Sequence, residues 1–423
     1  MGGPFVGYIP YAPGAESMEA GWVAEAFGVE VLLMAGAPCL NVGPPAPPPM
    51  LGDIEATLGA SRRFGSLIVE GIGGFLWAAL LRRTGYEGRL TLIPYVNPRR
   101  WHDVACLALY QAVANPDDRI LIGSRPSARV LAALGVAAEV GEPYGVDSKL
   151  FRPPSTAARK SPAARRVLFA GRVQADKNLP GLTRAVGRAA RMVPELELII
   201  ASHVIDEGEL AAALAVSPRP GTIRLARSPS RHGLATLYAG ADVVATAATS
   251  VFETFGRAPA EALCCGTPAV APCYDGFTEV LDQRGARLAA VTSRGRAPQV
   301  DETALSEALV ETLDQPLSRA EIAATAHGRL SRRKTIERLR HVVDPQPRPA
   351  SDPPPPADLV LPGAWVRALE GADAVTPSAA LNWLWGHDDR GALAGHDAAF
   401  ADAVRRALVV PLPVPRREPA PCP

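Results

Sequence analysis

Two carboxylates eight positions apart, Glu253 and Glu261, stand in the run Ser250-Val-Phe-Glu-Thr-Phe-Gly-Arg-Ala-Pro-Ala-Glu261. The first lies in a segment that ends in Phe255-Gly256, and the second on an Ala-rich stretch with helical character. A helix starting near Phe255 would carry Glu261 almost two turns in and aim its free backbone N–H groups at whatever lies beside Glu253. Unpaired amides and the positive end of a helix dipole form an anion site. Carboxylates at both edges of such a site suit a ligand that is anionic in the middle and hydroxylated at both ends, as a nucleoside diphosphate sugar is. Taken alone, the pair would read as two solvated acids.

The surroundings must position them. Leu237-Tyr-Ala-Gly-Ala-Asp242-Val-Val-Ala reads as a helix end turning into a strand that delivers Glu253, and Gly266-Thr-Pro-Ala-Val-Ala as a further short buried strand. Upstream, Arg166-Val-Leu-Phe-Ala-Gly-Arg172-Val-Gln-Ala-Asp-Lys177-Asn is a strand running into a loop with two cations five apart. Of 44 basic side chains four are lysines (Lys149, Lys160, Lys177, Lys334), so a lysine at this place is informative. Arginine offers a planar fork and lysine a compact point charge, and both suit phosphate oxygens.

The order of these blocks resembles the nucleotide-binding half of the retaining glycosyltransferases of family 4, from about residue 117 to 343. The resemblance implies an α/β chain with the GT-B fold, two Rossmann-like domains facing across a cleft. In the family pattern the first Glu faces the transferred sugar, the Phe-Gly amides face the diphosphate and the second Glu takes the ribose hydroxyls. Glu253, Phe255, Gly256 and Glu261 occupy those positions. The Gly-Arg…Lys block implies that Arg172 and Lys177 hold the donor diphosphate. Asp117-Asp-Arg-Ile-Leu-Ile-Gly-Ser124 and Tyr144-Gly-Val-Asp147-Ser-Lys-Leu-Phe151 are similar to the family's passage out of its N-terminal domain.

The chain also departs from the family. The loop after the first strand holds one glycine, Gly14, where the family is Gly-rich, and it is assigned to the donor. Val69-Glu70-Gly71 has no histidine where the family tends to carry one near the sugar, so His102 is the candidate on the cleft side, against a capping or packing role. Arg257 follows Phe-Gly where an apolar residue is usual. It either pairs with a nearby acid or meets an extra phosphate on the donor.

Strands alternating with helices imply parallel sheets, whose ligands gather at the carboxyl ends of the strands. Strands are expected at 4–9, 29–34, 66–70 and 90–96, with helices from Phe75 and from about Trp101. Gly71, Gly73, Gly74 and Asn97 are thereby placed on the acceptor side of the cleft. The expected domains are an N-terminal Rossmann-like acceptor domain over 1–154, a linker over 155–164, and a Rossmann-like donor domain over 165–343 that ends in a helix crossing back to the first. A Pro-rich linker over 344–357 and a C-terminal helical extension with a disordered end over 358–423 follow. All donor motifs lie between 165 and 280, so the extension is expected to be separable from donor binding. Gly-His-Asp triplets at 386–388 and 395–397 read as surface turns rather than metal sites.

A formal net charge of +1, with no basic run, argues against nucleic-acid binding. The first basic side chain is Arg62, so a secretory signal is not expected, and no apolar run reaches the roughly 18 residues of a membrane span without a break. Six cysteines without metal spacing fit a reducing cytoplasm. The helix near Trp101 could be a membrane-surface element, but its acidic Asp103 and its place between strands favour the core.

The expected activity is retaining, metal-independent glycosyl transfer with no cofactor. The partners would be a nucleotide sugar donor and a small polar acceptor, in bacterial, aminoglycoside-like antibiotic biosynthesis. Membrane association is not expected, and the chain would be a monomer or homodimer. The alternatives are pentosyl or phosphoribosyl transfer from a phosphorylated pentose diphosphate, a cell-envelope glycan or glycolipid glycosyltransferase, a GT-B-fold epimerase and a non-catalytic nucleotide-sugar-binding protein.

Overall fold

The computed structural model describes residues 6–9, 59–141, 144–154, 164–217, 222–293, 297–315, 317–343 and 390–412. The expected strand at 29–34 lies outside them. Five parallel strands, β1 (Val6–Ile9), β2 (Ser66–Glu70), β3 (Arg89–Ile93), β4 (Arg119–Ile122) and β5 (Glu139–Val140), lie side by side in chain order. Between them run α1 (Gly74–Arg83), α2 (Trp101–Gln111) and α3 (Arg125–Ala133). Every residue of β1 and β2 is buried, as a parallel strand covered on both faces requires. Val104, Cys106, Leu107, Leu109 and Tyr110 of α2 are buried too, so α2 is a core element rather than a membrane-surface one. The expected strand over 90–96 stops at Ile93, because Pro94 has no N–H to donate and Tyr95 turns the chain with φ 61°.

The second sheet comprises β6 (Arg165–Ala170), β7 (Leu196–Ser202), β8 (Ile223–Arg227), β9 (Val243–Ala245), β10 (Ala269–Pro272) and β11 (Ala286–Ala289). Its helices are α4 (Leu179–Ala189), α5 (Glu207–Ala215), α6 (Arg231–Gly240), α7 (Arg257–Cys264) and the single turn α8 (Phe277–Val280). Its strands are parallel and run β8-β7-β6-β9-β10-β11, which is the doubly wound order 3-2-1-4-5-6. In that order the chain reverses direction across the sheet between β6 and β9, so the loops after these two strands diverge and leave a crevice. Strand β10 starts at Ala269, later than the sequence predicts. The preceding residues close α7 instead: Gly266, at φ 73°, donates its N–H to Leu263 O (2.9 Å), and Thr267 donates to Ala262 O (2.9 Å).

Beyond β11 come a two-stranded antiparallel ladder, β12 (Val291–Thr292) with β13 (Gln299–Val300), and the helices α9 (Glu302–Asp314), α10 (Arg319–Leu330) and α11 (Arg332–Val343). Helix α11 returns to the first sheet. Leu339, Val342 and Val343 pack among Val6, Tyr8, Ile68 and Ile93, and Arg89 Nη1 donates to Val343 O at 3.3 Å. The last described helix, α12 (Arg390–Ala407), rests on α2 and α3 and buries Phe400, Val404 and Leu408. Residues 395–397 fall inside α12 rather than in a surface turn, and 386–388 lie outside the described residues. Among the described residues, no helix is long and apolar enough to cross a membrane.

Candidate active site

The crevice between β6 and β9 gathers the predicted cations and the first carboxylate. The chain leaves β6 through Gly171-Arg172 and makes one 3-10 turn over Ala175–Lys177. Asn178, in the left-handed region at φ 49°, ends that turn, and its side chain accepts from Gly181 N at 3.2 Å to cap α4. Lys177 is thereby fixed at the crevice, with its Nζ in an ion pair with Glu253 Oε1 and 3.3 Å from Asp176 Oδ2. Arg172 Nη2 lies 3.2 Å from the same Asp176 oxygen, and its Nη1 donates to Gln174 Oε1. Burial alone would depress the Lys177 ammonium, but Glu253 and Asp176 outweigh it and hold Lys177 above its ordinary range. Both Lys177 and Glu253 are largely buried, while the Arg172 side chain stays 40% exposed. Asp176 escaped the sequence reading. Its position four after Arg172 and one before Lys177 was the available signal, because one carboxylate there can orient both cations.

Glu261 stands at the second edge. Helix α7 starts at Arg257 rather than near Phe255, so Glu261 is its fifth residue, little more than one turn in. Gly256 precedes the helix at φ 88°, and a Cβ there would come within 2.7 Å of the Phe277 ring. Pro259, the third residue of the helix, has no N–H and so offers no donor at this helix start. Tyr238 Oη donates to Glu261 Oε2 at 2.9 Å. Burial raises the Glu261 carboxyl above its usual range, with Arg257, the Tyr238 hydroxyl and Arg231 pulling the other way. Arg257 also lies 5.4 Å from the centroid of the Tyr144 ring, a cation–π contact. Neither sequence reading of Arg257 is decided by these contacts: its charge acts on Glu261, and its guanidinium lies over Tyr144. A narrow pocket is formed here by Tyr144, Asp147, Phe151, Arg231, Arg257 and Glu261, among others.

The first domain meets this loop directly. Asn97 N donates to Val251 O (3.2 Å), and the Thr254 hydroxyl donates to Tyr95 O. A Cβ on Gly123 would sit 2.3 Å from Thr254 O. Tyr95 stacks on Tyr144 at 4.8 Å, and Tyr144 packs at 5.4 Å on Phe255, itself fully enclosed. Asn97 is therefore brought to the donor loop. Gly71 (φ 81°), Gly73 and Gly74 form the turn from β2 into α1, with Gly74 N donating to Gly71 O at 2.9 Å. His102 falls in the first turn of α2, its side chain outside the described part, and Gly14 lies outside the described residues. Among the described residues, no group of three or more His, Cys, Asp or Glu is arranged to hold a metal ion.

Residues 156–338, which contain Arg172, Lys177, Glu253 and Glu261, match the family model of the glycosyl transferases group 1. This segment is a glycosyl transferases group 1 domain. Among curated proteins, the D-inositol 3-phosphate glycosyltransferase of Mycolicibacterium gilvum is 32% identical over 184 residues, 40% of this chain and 39% of its own length. The enzyme of the same name from Kribbella flavida is 33% identical over 192 residues, 40% of this chain and 44% of its own. The chain thus spans about two fifths of the length of the curated relatives it matches. Solved structures resemble it over more of its length. Anabaena Alr3699/HepE, crystallised with UDP and glucose, gives a TM-score of 0.59 at 13% identity, covering 81% of this chain and 99% of that one. A glycosyltransferase from Rickettsia africae gives 0.60 at 12% identity, covering 80% and 97%. The fold is α/β with two parallel sheets, of the GT-B type.

Proposed function

We propose that this chain is a retaining glycosyltransferase that moves a sugar from a nucleoside diphosphate sugar to a small polar acceptor held by its first domain. The observation that carries the reading is the Lys177–Glu253 ion pair with Arg172 beside it, at the switch point of a doubly wound sheet. Two fixed cations at one place suit a diphosphate, and the adjoining carboxylate suits sugar hydroxyls. The named glycosyltransferases that the 156–338 segment resembles support the same class, as do the UDP and glucose held by the Anabaena protein.

Each residue then has a task. Arg172, Lys177 and the amides around Phe255–Arg257 stabilise the charge that grows on the leaving diphosphate, the main electrostatic work of such a site. Glu253 orients the sugar hydroxyls, and Glu261, steadied by Tyr238, takes the ribose. The bond from the anomeric carbon to the diphosphate oxygen breaks while the acceptor oxygen bonds to that carbon from the same face. The acceptor's proton passes to a donor phosphate oxygen. Because protein cations carry the diphosphate charge, the reaction needs no metal, and it needs no cofactor. We place the chain in the cytoplasm as a monomer or homodimer, with an acceptor of antibiotic-precursor type. A second reading has one observation in its favour: Arg231 and Arg257 both act on Glu261, which would suit a donor with a further phosphate on its pentose.

The test is turnover. The purified chain, incubated with uridine, guanosine and adenosine diphosphate sugars, with phosphoribosyl diphosphate and with cyclitol or aminocyclitol acceptors, should release a nucleoside diphosphate and form an axial glycoside. Its activity should persist in EDTA. Release of diphosphate from the phosphoribosyl donor alone would establish the second reading, and interconversion of nucleotide sugars without acceptor would replace both with epimerisation.

A further inference from the structure

Asp275 has no part in the chemistry described so far, yet it is fully buried and stands where the two domains meet. It belongs to the donor domain, between β10 and α8, at φ 38°. Its carboxyl accepts from the first domain on every side: Asn97 Nδ2 at 2.8 Å, Ser127 Oγ at 2.7 Å and the Ser124 hydroxyl. The two serines open α3, where Ser124 caps the helix by accepting from Ser127 N at 3.1 Å, so the acid is seated at that helix's positive end. Its own N–H donates to Leu408 O at 3.0 Å, just beyond α12, which rests on the same first domain. The next residue, Gly276, donates to Glu253 O at 2.9 Å, and a Cβ on Gly276 would meet Phe255 N at 2.2 Å. Asp275 therefore touches the first domain through its side chain and backs the donor loop through its neighbour.

The loop it backs is shut in. Val251 and Thr254 of that loop are hydrogen-bonded to Asn97 and Tyr95, Gly123 abuts Thr254 O, and Glu253 and Phe255 are buried, so parting the domains would uncover the loop. We propose that Asp275 is the latch of this cleft, a positioning residue whose carboxyl holds the donor loop against Asn97, Ser124 and Ser127 when the domains close and releases it when they part. Burial pushes this carboxyl up to about 7, although all three hydrogen bonds pull it down, and the Glu253 charge adds to the rise. Charged groups on the elements packed about it include Lys177, paired with Glu253, the Arg125–Glu279 pair at the start of α3, and Arg405 of α12, bonded to Asp402.

The proposal rests on the reading that the 251–256 loop holds the donor, but its test does not require a donor. Hydrogen exchange measured by mass spectrometry on the unliganded full chain, all variants at one pH, reads closure segment by segment. Asp275→Ala should raise exchange about tenfold in 94–98, 121–128, 251–256 and 273–277 and leave 165–170 and 196–202 as protected as in the wild type. Asp275→Asn should keep near-normal protection, because an amide can accept from Asn97 while donating to the two hydroxyls. Should Asp275→Ala fail to fold, Ser127→Ala removes one of the three donors without removing the cap, and should raise the same segments about threefold. Exchange that rises equally in the sheet cores, or that stays unchanged at the domain boundary, overturns the latch. A wild-type chain that shows the Asp275 pattern but gains no protection over 251–256 from uridine, guanosine or adenosine diphosphate refutes the donor reading instead.

Discussion

Lys177 and Arg172 share Asp176 but differ in surroundings, and that difference sets what each should do. Lys177 is buried against Glu253, whereas Arg172 is two-fifths exposed. Charge on a leaving diphosphate is larger in the transition state than in the ground state, so both should matter more to kcat than to donor affinity. Alanine at either position should lower kcat/KM roughly 10²-fold or more. Lys177→Arg should recover only part, since a planar fork cannot reproduce a point charge facing Glu253. Near-normal steady-state kinetics in both alanine variants would move the diphosphate elsewhere. Glu261 belongs to binding instead: Glu261→Ala should weaken a nucleoside diphosphate by about 1.5–3 kcal/mol, the worth of a hydrogen bond to a charged group. Calorimetry reads this directly, and unchanged affinity would remove Glu261 from the site. The types and spacing of Arg172, Lys177, Glu253 and Glu261 were legible in the sequence because each pair lies within one short loop-and-helix segment that follows a strand. Tyr238 and Asp275 were not, because each matters through a partner distant in the chain, whereas Asp176 lay within reach of the local pattern. For Asp275 the partners lie 148 to 178 positions away, beyond the reach of any local pattern.

At the scale of elements, the alternation of buried strands and helices was legible, and so was the return of α11 to the first sheet. The misplaced ends have local causes. Strand β3 stops early at Pro94 and Tyr95, and β10 starts late because Gly266 and Thr267 are consumed in closing α7. The larger surprise is the C-terminal extension, which sequence reasoning set apart from the donor site. Residues 408–410 lie along the 273–275 segment that backs the 251–256 loop, with Val410 N donating to Cys273 O at 3.3 Å and Tyr274 bridged to Val409. So short a contact carries no periodic signal. It leads to a prediction opposite to the sequence expectation. A chain ending at residue 389 should lose the burial of Phe400, Val404 and Leu408, each worth about 1.5–3 kcal/mol before the cost of ordering α12. Its melting temperature should fall, and nucleoside diphosphate affinity should fall with it. A truncated chain with unaltered melting and affinity would show that α12 is only an appendage.

For the whole molecule the two-domain cleft is the working unit, and Asp275 makes its stability depend on pH. A carboxyl raised from its ordinary 3.8 to about 7 binds its proton more tightly in the folded, closed form than in the unfolded chain. Its contribution is complete below about pH 4 and is lost as pH rises through about 7, at about 1.4 kcal/mol for each tenfold difference in proton affinity. Between pH 4 and 8 the wild type should therefore lose stability relative to Asp275→Asn, whose neutral amide has no proton to lose. Parallel melting curves for the two across that range would deny the raised acidity its role. Beyond the latch, the crevice between β6 and β9 is proposed as a nucleoside diphosphate site built from Arg172, Lys177, Glu253 and Glu261. A thermal-shift titration of the wild type, Lys177→Ala and Glu261→Ala with uridine, guanosine and adenosine diphosphates tests it most directly. At a hundredfold excess over Kd, a ligand that binds only the folded chain stabilises it by about 2.7 kcal/mol. At least one nucleotide should raise the wild-type melting temperature by several degrees and raise that of both variants by less at the same concentration. No shift with any of the three, or a shift of equal size in all three proteins, would contradict the account.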